Sequence, residues 1–99
     1  MSDDAANPDA AAFESEIRER WREAEDAGAD FVDVQAGDVH SQVGGYPGPN
    51  HRMPDCCHVM RRMMVAGDEV LAEPPRGAGA TLVVRYRLPR LQDYSTERA

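Results

Sequence analysis

Residues 54–88 have the sequence PDCCHVMRRMMVAGDEVLAEPPRGAGATLVVRYRL, and this stretch decides the fold. Its first part places apolar side chains at positions i, i+3, i+4 and i+7, which is the spacing of one helix face. These side chains belong to Cys56, Val59, Met60 and Met63. Proline is favoured at the start of a helix and glycine after its end. The sequence therefore predicts a helix that begins at Pro54 and is closed by Gly67.

The second part of the stretch predicts a β-hairpin. A first strand, Val70–Glu73, precedes a proline- and glycine-rich tip at residues 74–79, and a second strand, Thr81–Leu88, follows it. Alternate residues of the second strand should face the core, because successive side chains of a strand point to opposite faces. These are Leu82, Val84, Tyr86 and Leu88. Pro89 is expected to end the pairing, and the chain from Arg90 onward is predicted to be a polar tail.

Three elements are predicted upstream of this stretch. Asn7-Pro8-Asp9 has the composition of a helix start, and Gly28 that of a helix end. The helix between them carries one apolar stripe, formed by Phe13, Ile17, Trp21 and Ala24. A short strand, 31–34, and a brief helix, Gly37 to Val43, come next.

The 99 residues leave room for one core, which we place at residues 8–90, with a disordered N-terminus at 1–7 and a polar tail at 91–99. The longest apolar runs fall far short of the roughly 20 residues that a membrane span needs. The polar start does not have the pattern of a signal peptide, so a cytoplasmic location is expected. Cys56 and Cys57 are adjacent, which is too close for a relaxed disulfide.

The order helix, strand, short helix, loop, helix, hairpin resembles the winged-helix (helix-turn-helix) superfamily, in which the hairpin is the wing. The resemblance implies an α+β fold, DNA binding by the second long helix, and additional contacts from the wing. One departure is the connection between Val43 and Pro54, which is longer than the usual three or four residues of a helix-turn-helix. The block VGGYPGPNHRMPDCC at 43–57 also resembles an uncharacterised family of small prokaryotic proteins.

The charge of the chain is unevenly distributed. The net charge is −7, but residues 1–39 carry −9 and residues 40–99 carry +2. With Cys56, Val59 and Met60 turned inward, the outer face of the second long helix should carry basic side chains. Arginine binds guanine or phosphate, so we expect a non-enzymatic protein that binds double-stranded DNA, without metal or cofactor. The candidate residues are His58, Arg61 and Arg62 on this helix, Arg76 at the wing tip, and Tyr46, Asn50, His51 and Arg52 in the preceding loop.

Other interpretations of the same residues stay open. One alternative is that Arg61 and Arg62 are solvated surface charges. Arg85 and Arg87 are compatible with DNA contacts and with protection of a strand edge, and the composition of the loop is also typical of a simple turn. The runner-up function is a protein-interaction adaptor that dimerises or docks through its acidic first helix, where Trp21 is a core residue or a dimer contact. A zinc site or a nucleophilic Cys57 with a lowered pKa is a third possibility. The residues available to such a site are His40, His51, Cys56, Cys57 and His58.

The DNA hypothesis makes one geometric demand. The arginines must form one positive patch away from the acidic first helix, because carboxylates among them would cancel the charge that a phosphate backbone recognises.

Overall fold

The computed structural model describes residues 10–44, 52–75 and 78–90. These residues form three helices and a three-stranded antiparallel sheet, which confirms the predicted α+β class and element order. The elements are α1 (Ala10–Asp26), β1 (Phe31–Gln35), α2 (Ala36–Val43), α3 (Met53–Arg62), β2 (Glu69–Ala72) and β3 (Val83–Arg87). The predicted helix start at Asn7 and the terminal segments 1–7 and 91–99 lie outside the described residues.

Strand β3 lies at the centre of the sheet, between β1 and β2. It pairs with β1 from Phe31–Arg87 to Gln35–Val83, and with β2 in the predicted hairpin. The β2 register is irregular between Val70 and Ala72. Both β1 and β2 are therefore edge strands, each with one side of its backbone outside the sheet.

The helices cover one face of this sheet. Phe13, Ile17 and Trp21 of α1 are fully buried, as the apolar stripe predicts. They pack in one cluster with the inward side chains of β3, which include Val84 and Tyr86. Trp21 meets Tyr86 edge to face, with 5.2 Å between the ring centroids. Trp21 is thus a core residue, as one of the two interpretations predicts.

Two predicted helix ends have different outcomes. Gly28 adopts a φ of +85°, and its N–H donates to the carbonyl of Glu25 at 3.0 Å, so α1 stops where predicted. The end of α3 was predicted at Gly67, but this helix stops at Arg62. Just after this end, the Met63 carbonyl accepts a hydrogen bond from the Arg90 guanidinium at 3.0 Å.

Arg90 does not begin a polar tail, as the sequence suggested. It is only 2% exposed, and its guanidinium makes a bidentate contact with Asp68 at 2.8 and 3.0 Å. The same guanidinium lies 4.2 Å from the centre of the Trp21 ring. Arg90 is therefore buried within the folded domain, although it follows the last strand.

Candidate nucleic-acid interface

Helix α3 presents the predicted candidate side chains on its outer face. Cys56, Val59 and Met60 are buried against the core, whereas His58 and Arg62 are exposed and Arg61 is half-buried. Pro54 and Asp55 occupy the first turn, where a missing N–H and a negative charge are both favourable. The periodicity therefore predicted correctly which side of this helix faces solvent.

The charges on this face are paired within the domain. Arg61 Nη2 lies 2.8 Å from Glu73 Oε1, just after β2, and Arg62 Nη2 lies 2.5 Å from Glu14 Oε2 of α1. Arg52 Nε lies 3.0 Å from Asp55 Oδ2. Each of the three candidate arginines that the structure describes thus has a carboxylate beside it.

This arrangement does not meet the geometric demand of the DNA hypothesis. The acidic helix α1 was expected to lie away from the arginines, yet its Glu14 contacts Arg62 directly. Exposed ion pairs contribute only about 0–1 kcal/mol, so a phosphate can displace them. The displaced carboxylates would nevertheless stay within a few ångströms of that phosphate and repel it.

Four candidates cannot be placed on this surface. Tyr46, Asn50 and His51 of the loop and Arg76 of the wing tip lie outside the described residues. The structure therefore brings together Arg61 and Arg62 with His58, and Arg52 stands at the start of the same helix.

The arginines of β3 differ from each other. Arg85 binds Asp33 through two contacts of 2.7 and 3.1 Å, and its guanidinium carbon lies 4.0 Å from the Phe31 ring centre. The hydrogen bond to Asp33 raises the pKa of Arg85 above its ordinary value. Arg87 makes no ion pair with any residue in the described ranges. Only Arg87 among the described strand arginines thus keeps an uncompensated charge.

The nucleophile hypothesis for Cys57 is wrong in its geometry. Cys57 is not among the side chains predicted to face the core, but its side chain is fully buried. Its Sγ lies 3.3 Å from both the N–H and the carbonyl oxygen of Gly79. Burial raises the pKa of Cys57 instead of lowering it, and raises the pKa of Cys56 to about 12. Both groups are therefore neutral thiols at neutral pH.

We expect thiol-specific reagents to label Cys56 and Cys57 at least about 100-fold more slowly in the folded protein than in the unfolded protein. Burial removes both access and thiolate, which is the reactive form. The rate of reaction with an aromatic disulfide reagent, followed with and without denaturant, measures this. Labelling of the folded protein at the rate of a free thiol would contradict the buried position.

His40 also has a different role from the one considered. It was a possible zinc ligand, but the described residues contain no group of three His, Cys, Asp or Glu side chains that would hold a metal ion. Its ring is fully buried, and its Nε2 accepts the backbone N–H of Arg52 at 2.8 Å. The ring edge also meets Phe13 at a centroid distance of 5.0 Å. His40 thereby fixes the start of α3 against α1 and α2.

The comparisons with known proteins give no relative from which a role for this surface could be inferred. No family model matches the sequence, and no curated protein and no solved structure gives a match. Across residues 10–44, 52–75 and 78–90, every helix is too short or too polar to traverse a lipid bilayer.

Proposed function

We propose that this chain is a winged-helix domain that acts as a protein-interaction module. The order of three helices with a hairpin after α3 supports the winged-helix assignment. The observation that carries the functional part is the pairing of Arg52, Arg61 and Arg62 with carboxylates of the domain itself. Because these pairs are nearly neutral, the outer face of α3 lacks the excess positive charge that attracts a polyanion.

The sheet supports a protein partner more directly than α1 does. The apolar stripe of α1 is buried in the core, so its exposed side carries mostly polar and charged side chains, with only the small Ala10 and Ala11 as exposed apolar residues. Phe31 and Leu71, in contrast, are 44% and 43% exposed on the two edge strands. Aromatic side chains such as Phe31 are enriched in the buried centre of protein interfaces.

DNA binding is the second candidate, and one observation favours it. His58 and Arg62 are exposed on the same side of α3, where the helix-turn-helix resemblance places base contacts. If this surface neutralises three to five phosphates, log affinity should fall against log salt concentration with a slope of about −3 to −4.5. This salt dependence separates the two functions.

We expect no saturable binding of duplex DNA by the wild-type chain at low salt, because the described candidate arginines Arg52, Arg61 and Arg62 are already paired. The triple variant E14Q/D55N/E73Q removes the carboxylates that pair with Arg62, Arg52 and Arg61 and should gain weak, salt-sensitive binding. Fluorescence anisotropy of a labelled duplex measures both.

The matched control for that experiment is E23Q/D26N/D38N, which changes the net charge equally at carboxylates of α1 and α2 that form no ion pair with a described residue. This variant should not gain binding, because it frees no arginine on α3. Wild-type binding with the salt slope given above would reject the interaction module in favour of the DNA-binding protein. An equal gain in both triple variants would show that net charge, not pairing on α3, sets the affinity.

A further inference from the structure

The outer face of the sheet is not covered by any helix that the structure describes. We call it the open face, and it is formed by the outward side chains of Phe31, Asp33, Glu69, Arg85 and Arg87. The cross-strand register orders these side chains in rows. Phe31 stands opposite Arg87, and Arg85 stands between Asp33 on β1 and Glu69 on β2.

The two rows differ in electrostatic balance. In the row of Arg85 the charge is paired, because Nε and Nη2 of its guanidinium contact the two carboxylate oxygens of Asp33. In the row of Phe31, the Arg87 guanidinium makes no ion pair with a described residue. The Asp30 and Glu69 carboxylates beside this row make no ion pair within the described residues either.

These unpaired groups line one shallow depression on the open face. Its walls are Asp30, Phe31, Gly67, Glu69, Arg85 and Arg87. Gly67 forms the floor below Arg87, since a Cβ there would lie 2.9 Å from Arg87 Cδ and 3.2 Å from Nη1. The absence of a side chain at Gly67, whose φ is +99°, lets the Arg87 side chain lie down in the depression.

We propose that a second copy of this chain docks on the open face, with two-fold symmetry. In a two-fold interface the same patch meets itself, so the patch must contain its own complement. The depression does, because Arg87 of one copy can pair with the Asp30 and Glu69 carboxylates of the other, and the reverse. A purely acidic partner would satisfy only Arg87, and a purely basic partner would satisfy only the carboxylates.

The size of the open face limits the expected affinity of the proposed dimer. Three strands of about five residues cover roughly 14 by 17 Å, which is small beside the ~800 Å² per partner of a standard interface. Phe31 adds apolar area to this face, since it is 44% exposed. The dimer is therefore weak, with a dissociation constant in the range of about 10 μM to 1 mM.

This inference names the partner of the proposed interaction function and rests on that proposal. Their failures are distinguishable. If the wild-type chain binds duplex DNA, the proposed interaction function is wrong, whether the chain is a monomer or a dimer. If the chain is a monomer and binds no duplex DNA, only the proposed dimer is wrong.

The test is sedimentation equilibrium of the full chain from about 10 μM to 1 mM at about 0.15 M salt, where the long-range repulsion between two acidic chains is screened. We expect the mean mass of the wild type to rise toward a dimer. R87E should raise the dissociation constant at least about 10-fold, because it places a carboxylate opposite Asp30 and Glu69. The control R22E makes the same charge change on an exposed position of α1 and should leave the constant unchanged.

A charge exchange decides whether the pairing crosses the interface. D30K/E69K should likewise raise the dissociation constant at least about 10-fold, because it places two lysines opposite Arg87, and D26K/E23K on α1 is its matched control. An equimolar mixture of R87E with D30K/E69K should form a mixed dimer, because every cross-interface pair is again attractive. A wild type that stays monomeric at about 1 mM overturns the proposal. Equal weakening by R22E, or a mixture no heavier than its two components, overturns it as well.

Discussion

Asp68→Ala is expected to lower the free energy of unfolding by about 3–5 kcal/mol, because it leaves a buried guanidinium without its anion. The side chains of Arg90 and Asp68 are 1% and 0% exposed. Asp68 also accepts the backbone N–H groups of Val65 and Arg87, each at 2.8 Å. The substitution thus removes the contacts that join the turn between α3 and β2 to the end of β3. Since domains of this size have only about 5–15 kcal/mol of stability, the loss is a large fraction of the total.

Urea unfolding followed by tryptophan fluorescence measures this loss. Trp21 is the only tryptophan in the chain, and it lies under the Arg90 guanidinium, so the probe reports on this region. Glu69→Ala, at the exposed neighbouring carboxylate, is the control and should change the free energy by less than about 0.5 kcal/mol. A loss below about 1 kcal/mol in Asp68→Ala would contradict the buried ion pair.

The pH dependence of the same variant gives an independent measurement. Burial alone would raise the pKa of Asp68, but the hydrogen bonds from Arg90, Arg87 and Val65 outweigh it and lower the pKa. A carboxyl whose pKa is lower in the folded state contributes stability above its unfolded-state pKa. That contribution is lost as the pH falls through the folded-state pKa. Asp68→Ala should therefore lose less stability on acidification than the wild type.

Trp21→Ala is expected to cost about 3–5 kcal/mol, because it leaves a cavity at the centre of the core. The indole is fully buried, lies edge to face with Tyr86, and carries the Arg90 guanidinium on its face. Thermal unfolding followed by far-ultraviolet circular dichroism measures this, and each kcal/mol corresponds to about 4–8 °C in a domain of this size.

The neighbouring substitution Arg22→Ala is the control for Trp21→Ala. It changes an exposed side chain of the same helix and should leave the midpoint within a few degrees. If Trp21→Ala leaves the midpoint of thermal unfolding unchanged but changes the oligomeric mass in solution, Trp21 is a subunit contact. That outcome would restore the other interpretation of the α1 stripe.

Local patterns were sufficient to predict the elements and their buried faces. The stripe of Phe13, Ile17 and Trp21 has the period of a helix, and the alternation of Leu82, Val84 and Tyr86 has that of a strand. Each pattern is complete within its own segment, so no information about the rest of the chain is needed. The end of α1 at Gly28 was predictable for the same reason, since a positive φ is a local property of glycine.

The electrostatic character of the candidate site depended on positions that are distant in sequence. Arg62 and Glu14 are 48 residues apart, and Arg85 and Asp33 are 52 apart, yet each pair is in contact. No spacing rule relates such residues, because the packing of α1 on α3 and the pairing of β1 with β3 bring them together. The sequence therefore predicted which arginines reach the surface, but not that carboxylates would meet them there.

The amino-acid order alone determined the class of fold, the succession of helices and strands, and the side of α3 that faces solvent. The tertiary structure decided that Arg90 is buried on Asp68 and that Arg87, among the described strand arginines, makes no ion pair. The division follows from the range of the forces involved. Hydrophobic periodicity acts within a segment, whereas an ion pair or a buried hydrogen bond exists only after distant segments have packed.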